Sequence, residues 1–211
     1  MIQNYEIVRS EEFDKPERIA VILHGYGSTG GDFAEVGKLY LSKALENTVF
    51  VFPDAPYECD GQGGRRWFTL NKMTYEELRD GLDDVAAHVH QFILNISQEY
   101  DCNDVSVSGF SQGAMVALEM GYYSGISKII AYSGMFVTNA SGKYDTNTEV
   151  LIAHSDDDMV IPYQNATAAV RLLTSSGVSV TLKTCHNIGH TISVDGWNAG
   201  IEFLVSGNFH S

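Results

Sequence analysis

Apolar and polar positions along the chain fall into two alternating patterns. Six short runs, Ile19–Leu23, Thr48–Phe52, Val105–Ser108, Lys128–Tyr132, Val150–His154 and Val178–Lys183, are rich in Val and Ile and bounded by Gly, Pro, Asp or Ser. Nearly continuous apolar runs of this length are the signature of strands buried on both faces of a parallel sheet. Between them the spacing changes. From Tyr75 to about Tyr100 the apolar positions Leu78, Leu82, Val85, Val89, Phe92 and Ile96 step by four and three, which draws one stripe along a helix. Thr74 with Glu77 three residues later predicts a capping box at its start. Further helices are predicted over roughly 33–45, 112–123, 165–176 and 197–204, with Pro162 suited to the first turn of the third of these. Tyr5–Arg9 is a candidate antiparallel edge strand.

Strands alternating with helices predict an α/β sandwich, a mostly parallel central sheet with helices on both faces. Ligands of such sheets gather at the carboxyl ends of the strands. The loops to search for chemistry are therefore those that follow each strand.

The segment after Val105–Ser108 reads Gly109-Phe110-Ser111-Gln112-Gly113 and leads into a helical pattern. This is G-x-S-x-G between strand and helix, the context that pushes a serine hydroxyl into the open on a strained turn. The glycines are needed because side chains two residues either side of the serine would clash. The alternative is a glycine-rich turn with an ordinary capping serine. A nucleophilic serine needs a base, and the base a carboxylate to orient it. Downstream lie His154-Ser155-Asp156-Asp157-Asp158 at a strand end and Gly189-His190 after the last strand, in the order Ser, acid, His. His190 is the candidate base. His186 is its best rival, and His154 reads as a structural partner at a strand end. Of the three aspartates, Asp156 is placed to order its own loop as an Asx-turn, and Asp157 to face solvent.

The first loop, His24-Gly25-Tyr26-Gly27-Ser28-Thr29-Gly30-Gly31, can turn backbone amides toward an oxyanion. It also contains G-x-G-x-x-G, with Asp54 at the end of the next strand. That leaves a dinucleotide-binding protein as an alternative, although such a fold would leave the serine elbow unexplained. A non-catalytic binding protein on a hydrolase scaffold is the other alternative.

Composition narrows the partners. The chain has 211 residues, enough for one domain over 1–211, and a net charge of −14. Such acidity disfavours nucleic acid and anionic membranes. No apolar run approaches the ~18 residues of a membrane span, and the N-terminal residues do not read as a signal peptide. Cys59, Cys102 and Cys185 form no CxxC pair, so free thiols in a reducing cytoplasm are expected, with no metal site. Oligomeric state is left open, a homodimer included.

Taken together, Leu23-His24-Gly25-Tyr26-Gly27, Pro53-Asp54-Ala55-Pro56, Arg66-Trp67-Phe68, the Gly109–Gly113 elbow, His154 through Pro162 and Gly189-His190 resemble the phospholipase/carboxylesterase family of α/β-hydrolases, which includes the acyl-protein thioesterases. The resemblance implies an α/β-hydrolase fold with no large lid domain. It implies cleavage of carboxylic esters, acyl-protein thioesters or lysophospholipids, without a cofactor. It further implies Ser111 as nucleophile, Asp158 as acid and His190 as base. The backbone amides of Tyr26 and Gln112 would form the oxyanion hole. Trp67 and Phe68 would either anchor their loop or line the acyl site, and the family pattern leans to the pocket for Trp67. The segment 60–64 would gate access. Ser155 and Met159 depart from the family's usual Gly and Pro.

Overall fold

A computed structural model describes residues 2–9, 13–41, 45–59 and 63–206. Seven strands form one sheet in the order β1-β3-β2-β6-β7-β8-β9. They are β1 (Tyr5–Arg9), β2 (Arg18–Leu23), β3 (Thr48–Pro53), β6 (Val105–Phe110), β7 (Lys128–Tyr132), β8 (Glu149–Ser155) and β9 (Ser179–Cys185). All neighbours are parallel except β1, which runs antiparallel to β3 with Ile7 opposite Val51. The expected edge strand and all six other expected strands are present, but β9 is the opposite edge of the sheet and only Cys185 in it is buried, so the expectation of burial on both faces fails there.

The alternation of side chains divides each strand between two cores. Ile19, Val21, Val49, Val51, Val105, Val107, Ile129 and Ile152 point to one face. There they meet the stripe of α2 (Tyr75–Glu99), the buried α3 (Gln112–Glu119) and the inner side of α4 (Gln164–Ser175). Ala20, Ile22, Phe50, Phe52, Ile130 and Leu151 point the other way, against α1 (Gly30–Tyr40) and α5 (Val194–Val205). Phe50 and Phe52 are fully buried, each contributing about 1.5–3 kcal/mol of apolar transfer.

Local chemistry moves several boundaries. Helix α1 begins three residues before the expected start. Thr29 accepts from the Asp32 backbone N–H, and the Asp32 carboxylate accepts from the Thr29 N–H, which closes a capping box inside the glycine-rich run. Helix α5 likewise starts early, at the cap supplied by Ser193 to the Gly196 N–H (3.0 Å). At α2 only half of the expected box forms. Thr74 accepts from the Glu77 N–H, but the Glu77 carboxylate turns back to the amides of Asn71, Lys72 and Met73, each at 2.8 Å. The loop after β3 carries an unexpected two-stranded ribbon, β4 (Tyr57–Glu58) against β5 (Arg65–Arg66). The expected gate at 60–64 falls mostly outside the described residues. Among the described residues, no helix is long and apolar enough to cross a membrane.

Candidate active site

Residue 111 sits at φ 54°, ψ −115°, a strained setting for a serine. The glycines around it are sterically required. A Cβ at Gly109 would come within 2.2 Å of the Gly113 carbonyl oxygen, and one at Gly113 within 2.3 Å and 2.5 Å of the carbonyl oxygens of Leu23 and His24. The turn is tied down by the Ser111 N–H, which donates to the Tyr132 carbonyl (2.9 Å), and by the Ser111 carbonyl, which accepts from Ala114 and Met115. The side chain caps nothing in α3, so the ordinary capping serine does not describe it. Its hydroxyl lies 2.9 Å from Nε2 of His190.

His190 hangs from the short loop between β9 and α5. Its Nδ1 lies 2.7 Å from Oδ2 of Asp158. A carboxylate can only accept, so Nδ1 carries the hydrogen and Nε2 is left to accept the serine proton. The ring of Phe110, beside Ser111 in sequence, packs on the imidazole at 4.9 Å between centroids. Asp158 is 4% exposed, and its other oxygen accepts from the amides of Val160 and Ile161, both at 2.9 Å. Burial pushes its carboxyl up. The hydrogen bonds from His190, Ile161 and Val160 outweigh burial and hold it below the usual aspartate value.

The other two aspartates reach across to the His190 loop. Asp156 binds His186 Nδ1 (2.6 Å) and the Asn187 N–H (3.3 Å), so it orders the neighbouring loop and not its own. His186, the rival base, is engaged in this exposed pair. Asp157 does not simply face solvent. One of its oxygens accepts from the Ser155 hydroxyl (2.5 Å) and the Gly189 N–H (2.8 Å). These bonds hold the carboxyls of both residues low.

The first loop lies against the elbow. Gly27 donates to the Arg65 carbonyl (2.9 Å) and Arg65 to the Ser28 carbonyl (2.8 Å), so ribbon strand β5 braces the loop. His24 is buried and accepts at Nε2 from the Ala55 N–H (3.0 Å), while its Nδ1 donates to the Gly25 carbonyl (2.7 Å). Burial lowers its pKa, which keeps it neutral in this role. The backbone N–H groups of Tyr26 and Gln112 donate to no backbone carbonyl among the described residues.

Trp67 and Phe68 are 0% and 2% exposed, which leaves neither any appreciable surface for an acyl chain. Their contacts are those of an anchor. Trp67 Nε1 donates to the His24 carbonyl (2.8 Å). The Gln112 side chain accepts from the Trp67 N–H (2.9 Å) and donates to the Phe68 carbonyl (2.7 Å). This Gln112 clamp has no signature in the sequence pattern. A cleft of about 670 Å³ opens beside the start of α2, lined by Tyr57, Arg66, Lys72, Glu77 and Asp80 among others. Ser111, Asp158 and His190 lie outside it.

The dinucleotide alternative meets a specific obstacle. The N-terminus of α1, where a pyrophosphate would sit, is taken by Asp54, whose Oδ1 accepts from the Gly30 N–H (2.8 Å), and by the Thr29–Asp32 box. Among the described residues no group of three or more His, Cys, Asp or Glu is arranged to hold a metal ion. The three cysteines are unpaired.

Comparison with known proteins decides the family. The phospholipase/carboxylesterase family profile matches residues 3–206. The chain belongs to this family. The esterase YpfH of Escherichia coli (strain K12) is 27% identical over 197 residues, covering 91% of this chain and 82% of YpfH. Acyl-protein thioesterase 1 of Neurospora crassa is 25% identical over 211 residues, covering 88% of this chain and 84% of that protein. The crystal structure of esterase PE8 superposes with a TM-score of 0.84 at 29% identity, over 94% of this chain and 96% of that one. The fold is that of the α/β-hydrolases, with no large lid among the described residues, and the chain is a hydrolase of the carboxylesterase type.

Proposed function

We propose that this phospholipase/carboxylesterase-family hydrolase cleaves carboxylic esters through an acyl-enzyme formed on Ser111. The observation that carries this reading is the continuous path from the Ser111 hydroxyl to His190 (2.9 Å) and on to Asp158 (2.7 Å), with the serine in a strained elbow. Ser111 Oγ attacks the acyl carbonyl as Nε2 of His190 takes its proton. The charge that develops on the carbonyl oxygen is met by the amides of Tyr26 and Gln112. His190 returns the proton to the leaving alcohol, and the C–O bond breaks. Water, deprotonated by the same nitrogen, then releases the acid and restores the serine. Asp158 holds the tautomer throughout. No cofactor enters.

Acyl-protein thioesters and lysophospholipids extend the substrate class, since relatives are named for thioesterase activity and one triad serves all three bonds. The charge of −14 favours substrates met in solution, and disfavours nucleic acid and electrostatic docking on anionic membranes. Unpaired cysteines accord with a reducing cytoplasm.

Fluorophosphonate labelling of the pure protein, read by mass spectrometry, tests the reading. An adduct on Ser111 is expected. Ser111→Ala should lose the label and lower kcat on a p-nitrophenyl ester by at least about 10³-fold. An unlabelled wild-type protein, or an active Ser111→Ala, overturns it.

A further inference from the structure

His154 lies in β8, four residues before Asp158 and 1% exposed. Its Nε2 is 2.7 Å from the Ile161 carbonyl oxygen and 3.3 Å from Asp158 Oδ2, the same oxygen that receives His190. A carbonyl only accepts, so the proton of this ring sits on Nε2. Both backbone polar groups of Ile161 are used, its N–H donating to Asp158 Oδ1 and its carbonyl accepting from His154. Sheet, acid loop and carboxylate are thereby closed into one ring of contacts. The remaining nitrogen, Nδ1, is buried and meets no partner among the described residues. A second proton would have no acceptor there, and burial lowers the pKa of this histidine.

We infer that His154 is a positioning residue for Asp158, acting as a neutral donor that fixes the two-amide cradle and flanks the oxygen bound to His190. The inference rests on the reading of Asp158 as the acid of the Ser111 triad. A structural histidine would merely fill space. A positioning one fixes the direction in which Asp158 presents its charge, because the carboxylate takes its orientation from Ile161, and Ile161 from the ring. A cationic His154 would compete with His190 for Asp158. The neutral form leaves that charge to His190.

Two amide variants separate the roles. Gln places its side-chain nitrogen near the position of imidazole Nε2, and can still donate to Ile161. Asn is too short to do so. We expect folded His154→Asn to lose about 10-fold or more in kcat with KM unchanged, and to lose the far-downfield proton NMR signal of the His190–Asp158 bond. His154→Gln should keep both. Wild-type kcat and signal in the Asn variant, or equal impairment in Asn and Gln, overturns the inference. Should Asn not fold, ¹⁵N chemical shifts of the wild-type enzyme decide: a proton on Nδ1 of His154 overturns the inference, and one on Nε2 with normal turnover in His154→Gln supports it. Failure of the triad reading would look different, with Ser111→Ala and Asp158→Asn both active.

Discussion

The elbow that carries Ser111 and the paired loops that carry Asp158 and His190 meet at a single hydrogen bond, yet different forces shape them. The elbow is held by contact. Gly109 and Gly113 touch backbone atoms that nothing larger could approach, and the turn runs directly into a fully buried helix. The paired loops are held by charge. Asp156, Asp157, Asp158 and the Ser155 hydroxyl span the gap to residues 186–190, and much of that network is open to water. Steric shaping is indifferent to pH and salt. The strap of aspartates responds to pH. On the proposed reading, one site thus joins a fixed nucleophile to an adjustable base.

The contrast can be broken from either side. The largest effect is expected at Gly113→Ala, whose methyl would collide with two carbonyl oxygens of the neighbouring strand end. Overpacking of this kind costs about 1–3 kcal/mol or more, so the melting temperature should fall by several degrees, by the same amount at pH 6 and pH 8. An unchanged melting curve would show that the elbow can yield. Next comes Asp158→Asn. The amide cannot hold the required imidazole tautomer, so kcat should fall by at least about 10²-fold while circular dichroism stays native.

The acid response is third. Asp156, Asp157 and Asp158 all have folded pKa values below the ordinary aspartate value. The unfolded chain therefore binds more protons in that range, and stability rises with pH there. The straps are fully present above about pH 4 and are lost as pH falls through the lowered values. Hydrogen exchange in residues 186–190 should rise in that window before exchange at the elbow does. Simultaneous loss would erase the distinction. The smallest effect belongs to Asp157→Asn, which weakens one strap to Gly189. A fall in kcat of within about 10-fold is expected, with little change in melting temperature. A silent variant would make the strap ornamental.

Most of the fold was legible because each buried strand is a compact apolar run with clear ends, and because a two-residue period assigns its side chains to two cores. The start of α1 was hidden because Thr29 and Asp32 sit inside a glycine-rich stretch that reads as loop. The β4–β5 ribbon is too short for any periodicity to register. At the site, the elbow was visible since steric demands fall on adjacent residues. The strap was not. Asp157 reads as a solvated loop carboxylate until Gly189, far along the chain, arrives to donate to it. Trp67 leaves both readings open for a related reason: a large aromatic in a loop can be anchor or pocket wall, and its hydrogen bonds to His24 and Gln112 have no sequence signature.

Lys128 reaches from β7 to the far end of α5 and donates to the carbonyls of Phe203 (2.7 Å) and Ser206. Helix α5 is thus moored at its tail to a strand laid down long before it. The loop that bears His190 hangs between that moored helix and β9, the last strand of the sheet in sequence. During synthesis the strained serine and the glycine loop emerge before β8, β9 and α5, and so before Asp158 and His190. On the proposed reading, the order of translation itself delays hydrolysis, and a nascent chain carries a nucleophile that stays idle until helix α5 is tied down.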